Sequence, residues 1–226
     1  MSKSTKSQLE RIIDTALQKS ELNSGTKFIE DLRLSLGEDV KKWADAAEYL
    51  ASTETYWYGL DCQRECLRIL RAAGSQGPSD PLHEHLEKFA STALMFADWD
   101  AAESYALELK DYELMCLSAF EKGAPQEYIL KIFENTFRAR GKFDWERHNL
   151  PGTRLQEKFG RIVSMKDLAD HYDIVAHDVE NAARLHLELI FHQRLATDKE
   201  ILKSIEWLNR VAKHRGFHEQ LKKIIL

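Results

Sequence analysis

Proline and glycine are scarce, at four and ten residues in a chain of 226. With so few breakers, long segments run uninterrupted, and in most of them apolar residues recur at spacings of three and four, the helical period. No segment alternates apolar and polar residues as a half-buried strand does, so the expected fold is all-helical. Cysteine is scarce as well. Cys62, Cys66 and Cys116 make an odd number, which speaks against a disulfide scaffold. "MSKSTKSQLERI" has no apolar core of a signal peptide and "TALMFA" is too short to cross a bilayer. These absences predict a reducing, cytoplasmic setting and no membrane. No glycine-rich phosphate loop and no catalytic triad is visible either, so neither an enzyme nor a cofactor is expected.

What is present is enough for a core: 43% of residues are hydrophobic and 10% aromatic. The net charge of -5 conceals an asymmetry. Residues 1–130 hold 14 Lys/Arg against 23 Asp/Glu, a balance of -9, whereas residues 131–226 hold 18 against 14, a balance of +4. A basic C-terminal surface is one way to meet nucleic acid. Yet the surplus is small, and interleaved acids such as Asp144, Glu146 and Glu157 dilute its field.

Periodicity and punctuation predict helices near 6–20, 25–36, 38–52, 55–72, 81–96, 98–109, 111–122, 125–139, 154–163, 165–172, 176–195, 198–214 and 217–225. Asp80 is the expected N-cap ahead of Pro81. Gly123 and Pro125 separate two helices, and Thr197 with Glu200 spells a capping box. "GSQGPSDP" at 74–81 and "RGKFDWERHNLPGTR" at 140–154 read as linkers. They divide the chain into an N-terminal helical block over 1–73, a repeat-like block over 80–139 and a C-terminal block over 154–226, which can also form one continuous domain. "AAEYLA" at 46–51 and "AAESYA" at 101–106 share a pattern 55 residues apart.

The segment 96–136 combines small Ala101, Ala102, Ala106 and Ala119 with Trp99, Tyr105, Tyr112, Leu114, Phe120 and Tyr128. It resembles a tetratricopeptide-like or related α-solenoid unit, which implies stacked helix hairpins that hold another protein. An irregular helical bundle is the competing architecture. The segment 164–185, "SMKDLADHYDIVAHDVENAARL", resembles a helix-turn-helix. Ala169 stands at the small crossing position, Asp173 in the turn, and Leu168, Tyr172, Ile174 and Val179 at core positions. That resemblance implies base contacts by Asn181 and Arg184 beside His177 and Asp178. Asp178 and Glu180 oppose it, since they would face phosphate, and the apolar run from Leu185 to Phe191 favours a helix enclosed by protein.

Two candidate surfaces follow. Tyr56, Trp57 and Tyr58 are consecutive amphipathic aromatics that fan around a helix, so one of them is hard to bury and marks a protein contact. Arg138, Arg140, Lys142, Lys166, His177, Asn181 and Arg184 form the alternative, a nucleic-acid surface. Cys62 and Cys66 lie one turn apart but lack further ligands, so no metal site is expected. Adjacent His177 and Asp178 resemble the pair in HD-type phosphohydrolases, a third and weaker reading. The function expected is a helical-repeat adaptor or scaffold with another protein as partner, and a nucleic-acid-associated regulator is the alternative.

Overall fold

Helix after helix begins at a residue able to cap it. Asp39, Asp80, Asp98, Asp111, Thr153, Ser164 and Asp178 each accept a backbone N–H of the turn that follows, at 2.8–3.3 Å. The computed structural model describes residues 7–22, 27–53, 55–74, 80–192 and 195–214. Among these residues there are twelve α-helices and no strand. The expected helix at 217–225 and most of the expected linker at 74–81 lie outside the described residues. The chain divides into two compact units, Met1–Leu109 and Lys110–Leu226.

The first unit contains α1 (Gln8–Leu22), α2 (Phe28–Leu36), α3 (Val40–Ala51), α4 (Tyr56–Ala72), α5 (Pro81–Met95) and α6 (Trp99–Leu109). Neighbours in the chain pack as pairs, α1 with α2, α3 with α4 and α5 with α6. The core comes from one face of each, with Phe28, Leu32, Trp43, Leu50, Leu67 and Phe89 all buried. Small residues set the closest approach. At Gly59 an added Cβ would lie 3.2 Å from the Ala47 carbonyl oxygen, so α3 and α4 cross backbone to backbone. The two Ala-Ala-Glu motifs both bury alanines, Ala46 and Ala47 on α3 and Ala102 and Ala106 on α6. They occupy different places, since α3 leads its pair and α6 closes its own.

The second unit contains α7 (Tyr112–Glu121), α8 (Gln126–Arg140), α9 (Arg154–Phe159), α10 (Met165–Ile174), α11 (Val179–Phe191) and α12 (Asp198–His214). The capping box ahead of α12 is formed, with the Thr197 N–H donating to Glu200 at 2.7 Å and the Glu200 N–H to Thr197 at 3.4 Å. The segment resembling an α-solenoid unit straddles the division, with α6 in one unit and α7 and α8 in the other. Residues 141–153 carry a 3-10 turn at Arg147–Asn149. They are pinned by buried aromatics, because Phe133 meets Phe143 at 4.5 Å and Trp145 at 5.8 Å between ring centres.

Helices α10 and α11 make the closest pair of this unit, in the helix-turn-helix order. Ala169, Leu168 and Tyr172 are buried at their expected places. The turn differs. Helix α10 runs through Asp173 to Ile174, and the left-handed residue is His177, with φ +54°. Two residues past Tyr172 is about 200° around a helix, so Ile174 faces away from the core and is 69% exposed. Val179 is half-buried.

Buried carboxylates tie the second unit together. Glu134 on α8 is fully buried and lies 2.9 Å from Arg184 of α11 and 3.1 Å from Lys131, with Arg138 also in contact. Arg138 and Arg184 both reach Glu188 on α11 as well. Burial pushes the Glu134 carboxyl upward, but Arg184, Lys131 and Arg138 outweigh it and hold the group below the usual carboxylate range. At the start of α7, Glu113 accepts from Arg140 at 2.9 Å and from the Asp144 N–H at 3.1 Å. Asp111 there meets Arg147 at 2.9 Å and His148 at 2.8 Å. Removing Arg138 and Arg184 together leaves the buried Glu134 charge with Lys131 alone of Arg184, Lys131 and Arg138. We expect the Arg138→Ala/Arg184→Ala double variant to lose on the order of 3 kcal/mol in urea denaturation followed by circular dichroism. Adding Glu134→Met should restore most of it, and an equal loss with and without Glu134→Met would contradict the assignment.

Candidate functional site

Three successive aromatics at the start of α4 point about 100° apart, and three different fates follow. Tyr56 is buried. Its ring stacks on Phe96 at 4.2 Å with 10° between the planes, and its hydroxyl donates to Asp98 Oδ2 at 3.2 Å. Burial and the nearby Asp98 push that phenol above its usual range. Tyr58 is half-buried with its ring 4.7 Å from Phe28. Trp57 is 71% exposed. The neighbours that cover Tyr56 and Tyr58 leave the middle residue facing water.

Trp57 stands at a groove of about 590 Å³ between α4 and α6. Asp61, Arg64 and Arg71 line it from α4 and Asp100 from α6, with Asp98 at the α6 cap. Arg64 pairs with Asp61 at 2.8 Å, and Arg71 forks onto Glu108. Tyr105 stands in the wall, its hydroxyl donating to Gln63 at 2.8 Å and burial pushing it up to about 12. The turn joining α5 to α6 separates this groove from a second, apolar slot of about 250 Å³ between α3 and α5. Met95 and Phe96, exposed to 82% and 40%, form one edge of that slot. Trp57, Tyr56 and Phe96 thus make a continuous aromatic row linking the two depressions, with ring centres 5.6 Å and 4.2 Å apart.

The alternative residue set lies wholly in the second unit, and most of it is engaged there. Arg138 forks onto Glu188 at 2.6 Å, and Arg184 forks onto Glu134 at 2.9 and 3.0 Å. Arg140 holds Glu113 and the Lys110 carbonyl, and Lys166 pairs with Asp170. Asn181 donates to Asp178 at 2.7 Å and accepts from Arg184 at 3.3 Å. Lys142 and His177 are exposed. Asp178, the other half of the HD-like pair, caps α11. The arrangement brings Arg138, Asn181 and Arg184 together, but around carboxylates.

Cys62 and Cys66 are fully buried, and burial raises the Cys66 thiol to about 11 and Cys62 further. Such thiols stay protonated and are poor ligands. Among the described residues, no group of three or more His, Cys, Asp or Glu is placed to hold a metal ion, and no helix is long and apolar enough to cross a membrane. Sequence reasoning passed over Met95, Phe96 and Asp98 as members of a site. Neither a protein-family model nor a curated protein nor a solved structure matches this chain.

One buried group outside the aromatic row titrates in an accessible range. His186 on α11 is fully buried, 4.4 Å from the Trp207 ring and 3.0 Å from the Ser204 hydroxyl, and its Nε2 has no hydrogen-bond partner among the described residues. Burial lowers it to about 4, against the opposing pull of Asp170 and Asp173 and with help from Lys166 and Arg210.

Two outcomes are expected. Trp57→Ala should change stability by less than about 0.5 kcal/mol, whereas Tyr56→Ala, which empties the space against Phe96, should cost about 3 kcal/mol. Equal losses in urea denaturation would place both residues in the core. For His186, the unfolded imidazole takes up a proton below about 6.5 that the folded one refuses, so its contribution is complete above that pH and is lost as pH falls toward 4. His85 and His171, also lowered by burial, act in the same direction. Between pH 6.5 and 5 the urea midpoint should fall, and His186→Asn should flatten that fall; an unchanged slope would remove His186 from the account.

Proposed function

We propose that the chain is a helical adaptor whose first unit binds another protein along the row formed by Trp57, Phe96 and Met95. The observation that carries this reading is the 71% exposure of Trp57 at the edge of a groove, while the aromatics on either side of it are packed. A largely exposed indole, joined through the Tyr56 ring to Phe96, has the composition of a binding hot spot. A rigid helical frame supports it, since Tyr56 fixes the row through Phe96 and Asp98. The all-helical architecture of paired helices also suits a scaffold, as adaptors use such frames to present side chains rather than to do chemistry.

The nucleic-acid reading has less to support it. Phosphate contacts need cations that face outward, and Arg138, Arg140, Lys166 and Arg184 are paired with carboxylates of their own unit.

Quantitative affinity capture from the source cells tests the proposal. Protein retained by the wild-type chain should fall about tenfold with the Trp57→Ala/Met95→Ser variant. It should persist with Leu34→Ser, which alters an 88% exposed leucine on α2. Equal retention by all three chains, or retention only of salt-sensitive nucleic acid, would overturn the adaptor reading.

A further inference from the structure

Sulfur is divided sharply between interior and surface among the described residues. Met115 and Met165 are exposed to only 9% and 1%, whereas Met95, at the end of α5, is exposed to 82%. Cys62, Cys66 and Cys116 have no exposed surface, and burial raises each thiol and keeps it protonated. A covered, protonated thiol reacts slowly with peroxides, because the thiolate is the nucleophile. A thioether has no proton to lose and needs only access. Met95 is therefore the sulfur among the described residues that an oxidant in solution meets first. Its position gives that exposure a consequence. Met95 and Phe96 edge the slot of about 250 Å³ between α3 and α5, whose walls include Ala44, Ala47 and Ala51 of α3 and Phe89 of α5. The charged pair at the same slot, Lys88 and Glu48, is closed on itself at 2.6 Å.

We propose that Met95 is a modification site, oxidised to the sulfoxide by hydroperoxides, and that the sulfoxide makes the apolar edge of the slot polar and weakens what binds there. This assignment rests on the adaptor reading and adds a control to it. The thioether sulfur attacks the terminal peroxide oxygen, so that an S–O bond forms as the O–O bond breaks. Sulfur loses two electrons, the peroxide gains them, and the hydroperoxide proton passes to the departing alkoxide to leave an alcohol. A methionine sulfoxide reductase reverses the step with two thiols, which become a disulfide as the oxygen leaves in water. The sulfoxide keeps the length of the side chain but adds a strong acceptor. A partner that covers it with apolar groups leaves that acceptor without a donor. The fold itself tolerates the change, since Met95 is largely outside the core, whereas oxidation of Met115 or Met165 would disrupt packing.

Treating the full chain with tert-butyl hydroperoxide and mapping the peptides by mass tests the site. Met95 should oxidise at least about tenfold faster than Met115 and Met165, with no change in melting temperature. Met1 lies outside the described residues and is scored separately. Comparable rates at Met95, Met115 and Met165 would overturn the assignment. Capture from the source cells before and after peroxide tests the consequence. Retention by the wild-type chain should fall about tenfold on oxidation and return after treatment with the two methionine sulfoxide reductases, one for each epimer. In Met95→Leu, whatever its starting level, peroxide should cause no further fall. If Met95 oxidises first and retention does not change, while Trp57→Ala/Met95→Ser still lowers it, the control is overturned and the adaptor surface stands. Retention unmoved by both peroxide and that double variant overturns both.

Discussion

A carboxylate with no exposed surface has to be given cations, and Glu134 is such a group. Taking one ion out of water costs several kcal/mol, which only close and well-aligned partners offset. Those partners come from α8 and α11, with Arg184 and Arg138 reaching inward to Glu134 and outward to Glu188. The same requirement at Glu113 and Asp111 draws Arg140, Arg147 and His148 onto the start of α7. The helix pair resembling a helix-turn-helix is thereby clamped to α8, and the segment after α8 is folded back on α7.

That constraint reaches function through charge. The basic surplus of the C-terminal half looked available for phosphate, but Arg138, Arg140 and Arg184 serve carboxylates of the fold. The first unit has the converse arrangement. Its core is closed by aromatics and alanines, its buried Glu65 is met by Arg33 and Arg68, and an indole is among the apolar side chains it leaves exposed. The proposed binding through the first unit is compatible with a second unit whose buried carboxylates are met by its own cations.

Helix positions were largely legible in the sequence, because they depend on local periodicity and on caps within four residues. Asp80 and Thr197 are examples whose bonds are formed. Errors arose where distant partners decide. Ile174 was assigned to the core on spacing, but α10 continues two residues past the expected end and carries it to the open side. Adjacency implied that one of three aromatics is exposed. It did not say which, since the covering groups, Phe28 and Phe96, lie about 30 and 40 residues away. Asn181 and Arg184 have the right spacing for reading bases, and their capture by Asp178 and Glu134 is visible only in three dimensions. Glu134 did leave a trace. It shares the stripe of Leu130, Phe133 and Phe137, an apolar face on which an acid signals a buried counter-charge.

The carbon-13 NMR titration of the Glu134 side chain tests the clamp most directly. Held by Arg184, Lys131 and Arg138, the carboxyl should stay ionised to a pH below the value of about 4.3 for a free glutamate. A titration at or above that value would mean that burial outweighs the arginines. The cations of the second unit would then be available to an external partner, contrary to this account.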